Sequence, residues 1–164
     1  MLTFFTYFVQ PISARTWAFW PRLHSIMKEW GIDYVENIIV PLDNMICKGT
    51  ETFCTSTQPN YRESVFDMVQ YCFKGDFNEM EVAPVTKLLE IVLLNCKGRV
   101  DEWVWPFMEL AMGKLESVKE PGFTTLLMNI IPAALYYNSQ LTLQLLEQHG
   151  RTEAVRSRTI SRVQ

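Results

Sequence analysis

The sequence has no surplus of basic residues with which to hold a nucleic acid. Its 15 Lys and Arg are outnumbered by 18 Asp and Glu, for a net charge of −3 over 164 residues. The final segment, 151–164, holds four Arg and one Glu and carries +3, so the first 150 residues carry −6. Phosphate contacts need clustered Lys and Arg, so an acidic body argues against a nucleic-acid surface and suits a partner with basic segments. Cysteine is scarce. Cys47, Cys54, Cys72 and Cys96 form no C-x-x-C pair, and neither His24 nor His149 stands near any of them in sequence. No zinc-site spacing results, and the four are read as reduced thiols. Phosphate-cradling glycine loops, G-x-S-x-G and H-E-x-x-H are all lacking, and no Cys/His pair is defined by spacing. The expectation is no enzyme, no metal and no cofactor.

Other absences narrow the class further. Residues 1–14 are uncharged and aromatic-rich, without the basic start of a secretory signal. Pro121 to Leu146 has no Asp, Glu, Lys or Arg, and about 20 residues suffice to cross a bilayer. It also holds Asn129, Pro132, Asn138, Ser139, Gln140 and Gln144, which are costly in lipid, so the segment reads as a buried helix pair and no membrane span is expected. Seven Gly and eight Pro exclude a fibrous or low-complexity chain. With 48% apolar and 20% charged residues, the chain can bury a real core. No run shows the strict alternation of a half-buried strand.

What is present is helical spacing. Val35, Ile38, Ile39, Leu42, Met45 and Ile46 form one apolar stripe; Tyr61, Val65, Met68, Val69 and Cys72 form another. Val85, Leu88, Leu89, Val92 and Cys96 make a third; Val104, Phe107, Met108, Ala111, Leu115 and Val118 a fourth. Each repeats at i, i+3, i+4, i+7, as a helix with one buried face requires. Gly31, Gly49, Gly75 and Gly98 each follow a periodic segment, where a left-handed C-cap is expected. Lys48, Lys74 and Lys97 precede three of them, facing the negative end of the helix dipole. Asp33 and Asp101 stand where N-caps are wanted, and Pro84 and Pro121 near helix starts. The spacing therefore predicts helices at roughly 14–30, 33–48, 60–74, 84–97, 101–118, 122–137 and 139–149, joined by short links that force antiparallel neighbours. The stretch 50–59, polar and rich in Thr, reads as a surface loop.

Seven consecutive helices leave a closed bundle or an open solenoid. Pro41 and Pro106 both fall inside amphipathic helices, as in kinked HEAT hairpins, but they stand 65 residues apart where a HEAT repeat runs about 40–47.

The stretch Lys87 to Trp105, KLLEIVLLNCKGRVDEWVW, adds weight of another kind. It resembles the C-terminal HEAT region of the importin-β (karyopherin-β) superfamily, in the branch of importins seven and eight. Asp33-Tyr34-Val35 through Val40-Pro41-Leu42-Asp43-Asn44, then Ala134-Leu135-Tyr136-Tyr137-Asn138, then Leu141-Thr142-Leu143 agree in the same order, so the resemblance covers roughly residues 10–149. It implies an all-α fold, an α-solenoid of antiparallel helical hairpins (HEAT/armadillo-like), over 1–149; 150–164 departs from the family pattern, which continues into more helices, and its low apolar content reads as a basic, disordered tail. The resemblance also implies a nuclear transport receptor moving between nucleus and cytoplasm. Such a receptor binds cargo proteins, meets Ran GTPase through N-terminal repeats, and passes the nuclear pore by touching Phe-Gly nucleoporins. This chain would match a few late repeats, with no counterpart of those that meet Ran. The alternative is a piece that only supplies rigidity and curvature.

Four residues are candidate partner contacts. Trp103 and Trp105 flank the stripe position Val104 and could anchor an interface or pack on neighbouring helices. Arg99 and Glu102 stand in a charged inter-helix turn with Lys97 and Asp101, where capping and local ion pairs compete with partner contact. Tyr136-Tyr137-Asn138 reads as a packed tyrosine followed by a helix stop or N-cap. In the tail, Ser157, Thr159 and Ser161 among arginines could accept phosphate, and the arginines an acidic partner or lipid.

Overall fold

The computed structural model describes residues 11–29 and 31–160, with side chains through residue 150. Among the described residues there is no strand. In chain order the elements are α1 (Ala14–Trp17), α2 (Trp20–Glu29), a 3-10 turn (Gly31–Tyr34), α3 (Val35–Lys48), α4 (Thr50–Thr55), α5 (Tyr61–Lys74) and α6 (Glu79–Val82). A second 3-10 turn (Ala83–Val85), α7 (Thr86–Asn95), α8 (Asp101–Leu115), α9 (Pro121–Met128) and α10 (Ile130–Ile160) follow.

The apolar stripes become the buried faces. Leu42, Met45, Ile46, Val65, Met68, Leu88, Leu89, Val104 and Phe107 are fully enclosed, each contributing about 1.5–3 kcal/mol relative to exposure. In the fourth stripe Leu115 and Val118 are only partly covered.

Those faces sort the long helices into two layers. One holds α2, α5 and α8, each packed on the next; the other holds α3, α7 and α10 in the same order. Every helix of the first layer is followed by its partner in the second, giving three antiparallel hairpins in a row. First-layer helices start at residues 20, 61 and 101, intervals of 41 and 40 residues, which match the HEAT period of about 40–47. This resolves the odd spacing of the prolines. Pro41 lies in α3 and Pro106 in α8, so they belong to opposite layers and could never have marked one period.

Several local expectations are corrected. Residues 50–59 are not all loop: α4 occupies Thr50–Thr55 and buries Phe53 and Cys54. Phe53 and Cys54, about two turns from Ile46 and from Tyr61, give too short a pattern to read. The helix expected over 14–30 is broken between Trp17 and Trp20, and that over 122–137 is broken at Asn129. Of the four glycines, only Gly98 is left-handed, at φ 75°. Gly49 is required for a different reason: a Cβ there would stand 2.5 Å from the Trp17 ring and 2.9 Å from the Met45 carbonyl oxygen. Asp33 lies within a 3-10 turn, and Asp101 is the first residue of α8, its carboxylate accepting from Tyr137 instead of capping. The side chains that do cap are Ser13, Asn60, Asn78, Glu120 and Asn138.

Asn138 both stops and restarts α10. Its backbone is extended (φ −159°, ψ 99°), and its side-chain oxygen accepts the Leu141 N–H at 3.1 Å. The buried Thr142 hydroxyl reaches back across the break to the Ala134 carbonyl at 2.8 Å, satisfying a group the break frees. The same helix then continues to Ile160; the tail side chains Ser157, Thr159 and Ser161 lie outside the described residues. Among the described residues no helix is long and apolar enough to cross a membrane.

Candidate partner-binding surface

The first layer is joined by side chains at matching heights. On α2, Trp20, His24 and Lys28 recur every four residues and so share one face. Trp20 Nε1 donates to Ser64 Oγ at 2.9 Å. His24 Nε2 stands 2.6 Å from Asp67 Oδ2, and Lys28 Nζ donates to the same oxygen at 2.8 Å. Lys28 also lies 5.8 Å from the centre of the Tyr71 ring. Partial burial would raise the Asp67 carboxyl, but the hydrogen bonds from Lys28 and His24 outweigh it and hold the group below its ordinary value.

The opposite face of α5 meets α8. The Phe66 ring packs on Trp103 and Phe107, with centroids 5.6 and 6.5 Å away. Lys114 Nζ donates to the Phe73 carbonyl at 3.1 Å, covering a carbonyl in the last turn of α5. Partners advance in the same direction along both seams, from Trp20–Ser64 to Lys28–Tyr71 and from Phe66–Trp103 to Phe73–Lys114, so the layer is parallel.

Parallel cylinders leave furrows between them. Between α2 and α5 lies an opening of about 510 Å³ bordered by Trp20, His24 and Phe66, and a second of about 360 Å³ bordered by Lys28, Tyr71 and Lys74. Between α5 and α8 lies one of about 370 Å³ bordered by Phe66, Phe73, Leu110 and Gly113. Gln70 borders all three, and Lys74 two of them. Gly113 opens the floor of the last, since nothing lies within 4 Å of where its Cβ would be.

The four candidate contacts are placed differently. Trp103 is half-buried in the α5–α8 seam. Trp105 faces α10, stacked on His149 with centroids 3.6 Å apart and an interplanar angle of 8°. Arg99 pairs with Glu51 of α4, and Glu102 with Arg62 of α5 at 3.4 Å. Each joins one hairpin to another element, and the two tryptophans point to different neighbours. The structure does not gather the four on one open face. Nearby, the buried Tyr137 hydroxyl accepts the Val100 N–H at 2.9 Å and donates to the Asp101 carboxylate, while Lys97 Nζ lies 4.7 Å from the centre of the Tyr136 ring.

The thiols are held protonated. Cys47 is exposed, yet burial of part of the side chain and its bond to Asp43 Oδ1 at 3.0 Å push it up to about 12. Burial pushes Cys72 up to about 12 and raises Cys54 and Cys96. A thiol with so little thiolate at neutral pH is a poor nucleophile.

Gln70, Phe66 and Trp20 carry no signal in the sequence, and Lys74 shows there only as a cation at a helix C-terminus. Phe66 and Gln70 lie off the buried stripe of α5, and only the neighbouring helices turn such positions into walls. The signal that could have found them is the regular start of the first-layer helices.

The chain is 34% identical over 162 residues to a probable importin-7 homolog of Dictyostelium discoideum, covering 94% of this chain and 15% of that protein. It is 32% identical over 151 residues to an importin beta-like SAD2 homolog of Arabidopsis thaliana, with 92% and 15% covered. Against human importin-8 it is 30% identical over 139 residues, with 84% and 13% covered. No family model and no solved structure matches. The chain thus spans about 15% of the length of the curated relatives it matches. Two-layer helical hairpins at a HEAT-like period and these relatives agree: the chain belongs to the importin-β-like family, to which it corresponds over one segment of the relatives' length.

Proposed function

We propose that this chain is a protein-docking segment of a nuclear transport receptor, acting by reversible recognition without bond-making chemistry. The observation that carries the reading is the pair of aromatic-bordered grooves flanking α5, open to solvent on the first layer. Phe66 borders both grooves and offers a surface for a large apolar side chain of a partner segment, while His24, Glu63 and Asp67 on one side and Lys74, Glu109 and Lys114 on the other supply polar groups to fix its orientation. A phenylalanine of a Phe-Gly nucleoporin fits that description, and such contacts would carry a receptor through the pore between cytoplasm and nucleus. Cargo proteins with basic segments suit the charge of −6 on the first 150 residues, and Arg99 and Glu102, paired with Glu51 and Arg62 outside the grooves, would contribute through their exposed charge. Trp103 and Trp105 would act indirectly, by holding α5, α8 and α10 in place. Ran GTPase would be met by other repeats of a full-length receptor.

The test immobilises the folded chain and presents Phe-Gly peptides and a basic cargo segment in turn. Saturable binding to either, weakened by Gly113→Leu for the first or by added salt for the second, is the expected result. Binding to neither by a chain with full helical circular dichroism refutes the reading and leaves a purely structural solenoid segment.

A further inference from the structure

Gln70 is the feature that the docking reading leaves unused. It stands on the ridge of α5, between grooves on both sides, and among the described residues nothing hydrogen-bonds its amide. One turn further on, Lys74 borders a groove on each side, and among the described residues no carboxylate lies within ion-pair distance of it. Of the acids bordering these grooves, Asp67 is held by His24 and Lys28, Glu63 accepts from the Asn60 amide at 3.3 Å, and Glu109 stands in the α5–α8 groove with Lys114. The ridge therefore offers one uncommitted amide and one uncommitted cation between two aromatic-bordered furrows.

The distance between the furrows selects the ligand's backbone. Packed helices lie about 8–10 Å apart, so the furrows on either side of α5 are separated by about that much. A β-strand laid across the helix puts side chains on one side every second residue, about 6.7 Å apart or about 13 Å at the next, and misses. A polyproline-II segment turns once in three residues and rises about 3.1 Å per residue, so residues i and i+3 face the same way about 9.3 Å apart. A helix could span the gap with i and i+7, but its intervening side chains would ride on the α5 ridge, and its backbone groups are already paired. Polyproline II has no internal hydrogen bonds, so its carbonyl and N–H groups are available to Gln70.

We infer that the surface centred on Gln70 docks one polyproline-II segment of a partner protein laid across α5. Its apolar side chains at i and i+3 enter the two grooves, its backbone meets the Gln70 amide, and a carboxylate beside them meets Lys74. The inference rests on the docking reading above and adds the spacing, backbone shape and charge of the partner.

The experiment measures fluorescence anisotropy of labelled proline-rich decapeptides with the whole chain. One carries two Phe three residues apart and a Glu after the second; others carry two Phe two residues apart, a single Phe, or Lys in place of Glu. The three-residue spacing is expected to bind about tenfold or more tighter than either of the other Phe patterns, as two linked contacts do. Gln70→Ala should weaken it about three- to tenfold. Lys74→Glu should weaken it similarly, and the Lys peptide should recover that loss. Gly113→Leu, filling open space, should bring the best peptide down to the single-Phe level. These are surface positions, and helical circular dichroism of each variant checks the fold. Equal binding of all three Phe patterns, or indifference to Gln70→Ala and Lys74→Glu, overturns this inference and leaves the docking reading intact. No binding of any peptide to the folded chain overturns both.

Discussion

Removing the Tyr137 hydroxyl should destabilise the chain far more than deleting one oxygen atom suggests. In Tyr137→Phe the ring still fills its site, which is 1% exposed. The Val100 N–H, on a fully buried residue, loses its acceptor at 2.9 Å, and the Asp101 carboxylate loses a donor. An unsatisfied buried donor costs about 1–3 kcal/mol, and losing a charge-assisted bond adds to it, so about 2–3 kcal/mol is expected in all. For a domain of this size that lowers Tm by roughly 5–10 °C. Urea unfolding followed at 222 nm should show a lower midpoint with an unchanged m-value, since the surface exposed on unfolding is the same. The pH dependence supplies an independent check. Burial, then the bond to Asp101, push the Tyr137 hydroxyl up to about 12 from an ordinary value of 10.0. A group whose pKa is raised by folding contributes stability that is complete below its unfolded value and lost as pH rises through the folded one. The wild-type advantage over Tyr137→Phe should therefore hold to about pH 9.5 and shrink between pH 10 and 12. A loss below about 0.5 kcal/mol at neutral pH, or an advantage that grows in alkali, would refute the reasoning.

Gly49→Ala should cost about 1–3 kcal/mol in urea unfolding, because the new Cβ meets the Trp17 ring and the Met45 carbonyl; a neutral substitution would show that this corner is loosely packed. At pH 8 the exposed Cys47 should react with a maleimide slowly for its exposure, and Asp43→Asn should speed it by removing the carboxylate that holds the proton; rapid labelling of the wild type would contradict the raised pKa. Asp67→Asn should cost about 0.2–1 kcal/mol at pH 7, the range for partly exposed pairs. Because folding lowers the Asp67 pKa, that advantage exists above the unfolded value and fades as pH falls through the folded one, so wild type and variant should converge in acid; divergence there would reject the pairing.

The helices and their buried faces were legible because a period of 3.6 residues is a local property, repeated often enough to be counted. The helix stop at Asn138, the helical prolines and the lysines at Lys48 and Lys74 were legible for the same reason. The family was legible through one continuous stretch, Lys87 to Trp105. The short helix α4 was not, since Phe53 and Cys54 alone carry no period. Nor were the partners of Trp103, Trp105, Arg99 and Glu102. Each meets a residue 36 or more positions away, as Trp105 meets His149 and Arg99 meets Glu51.

The sequence by itself determined an all-helical chain with one apolar face per long helix, because hydrophobic spacing dictates which side of each helix leaves water. Tertiary structure decided which helices share a layer, why Pro41 and Pro106 follow no common period, and where open surface remains. A groove belongs to two helices at once, so the residues that border it from α5, Phe66, Gln70 and Lys74, acquire that role only when α2 and α8 settle at packing distance on either side.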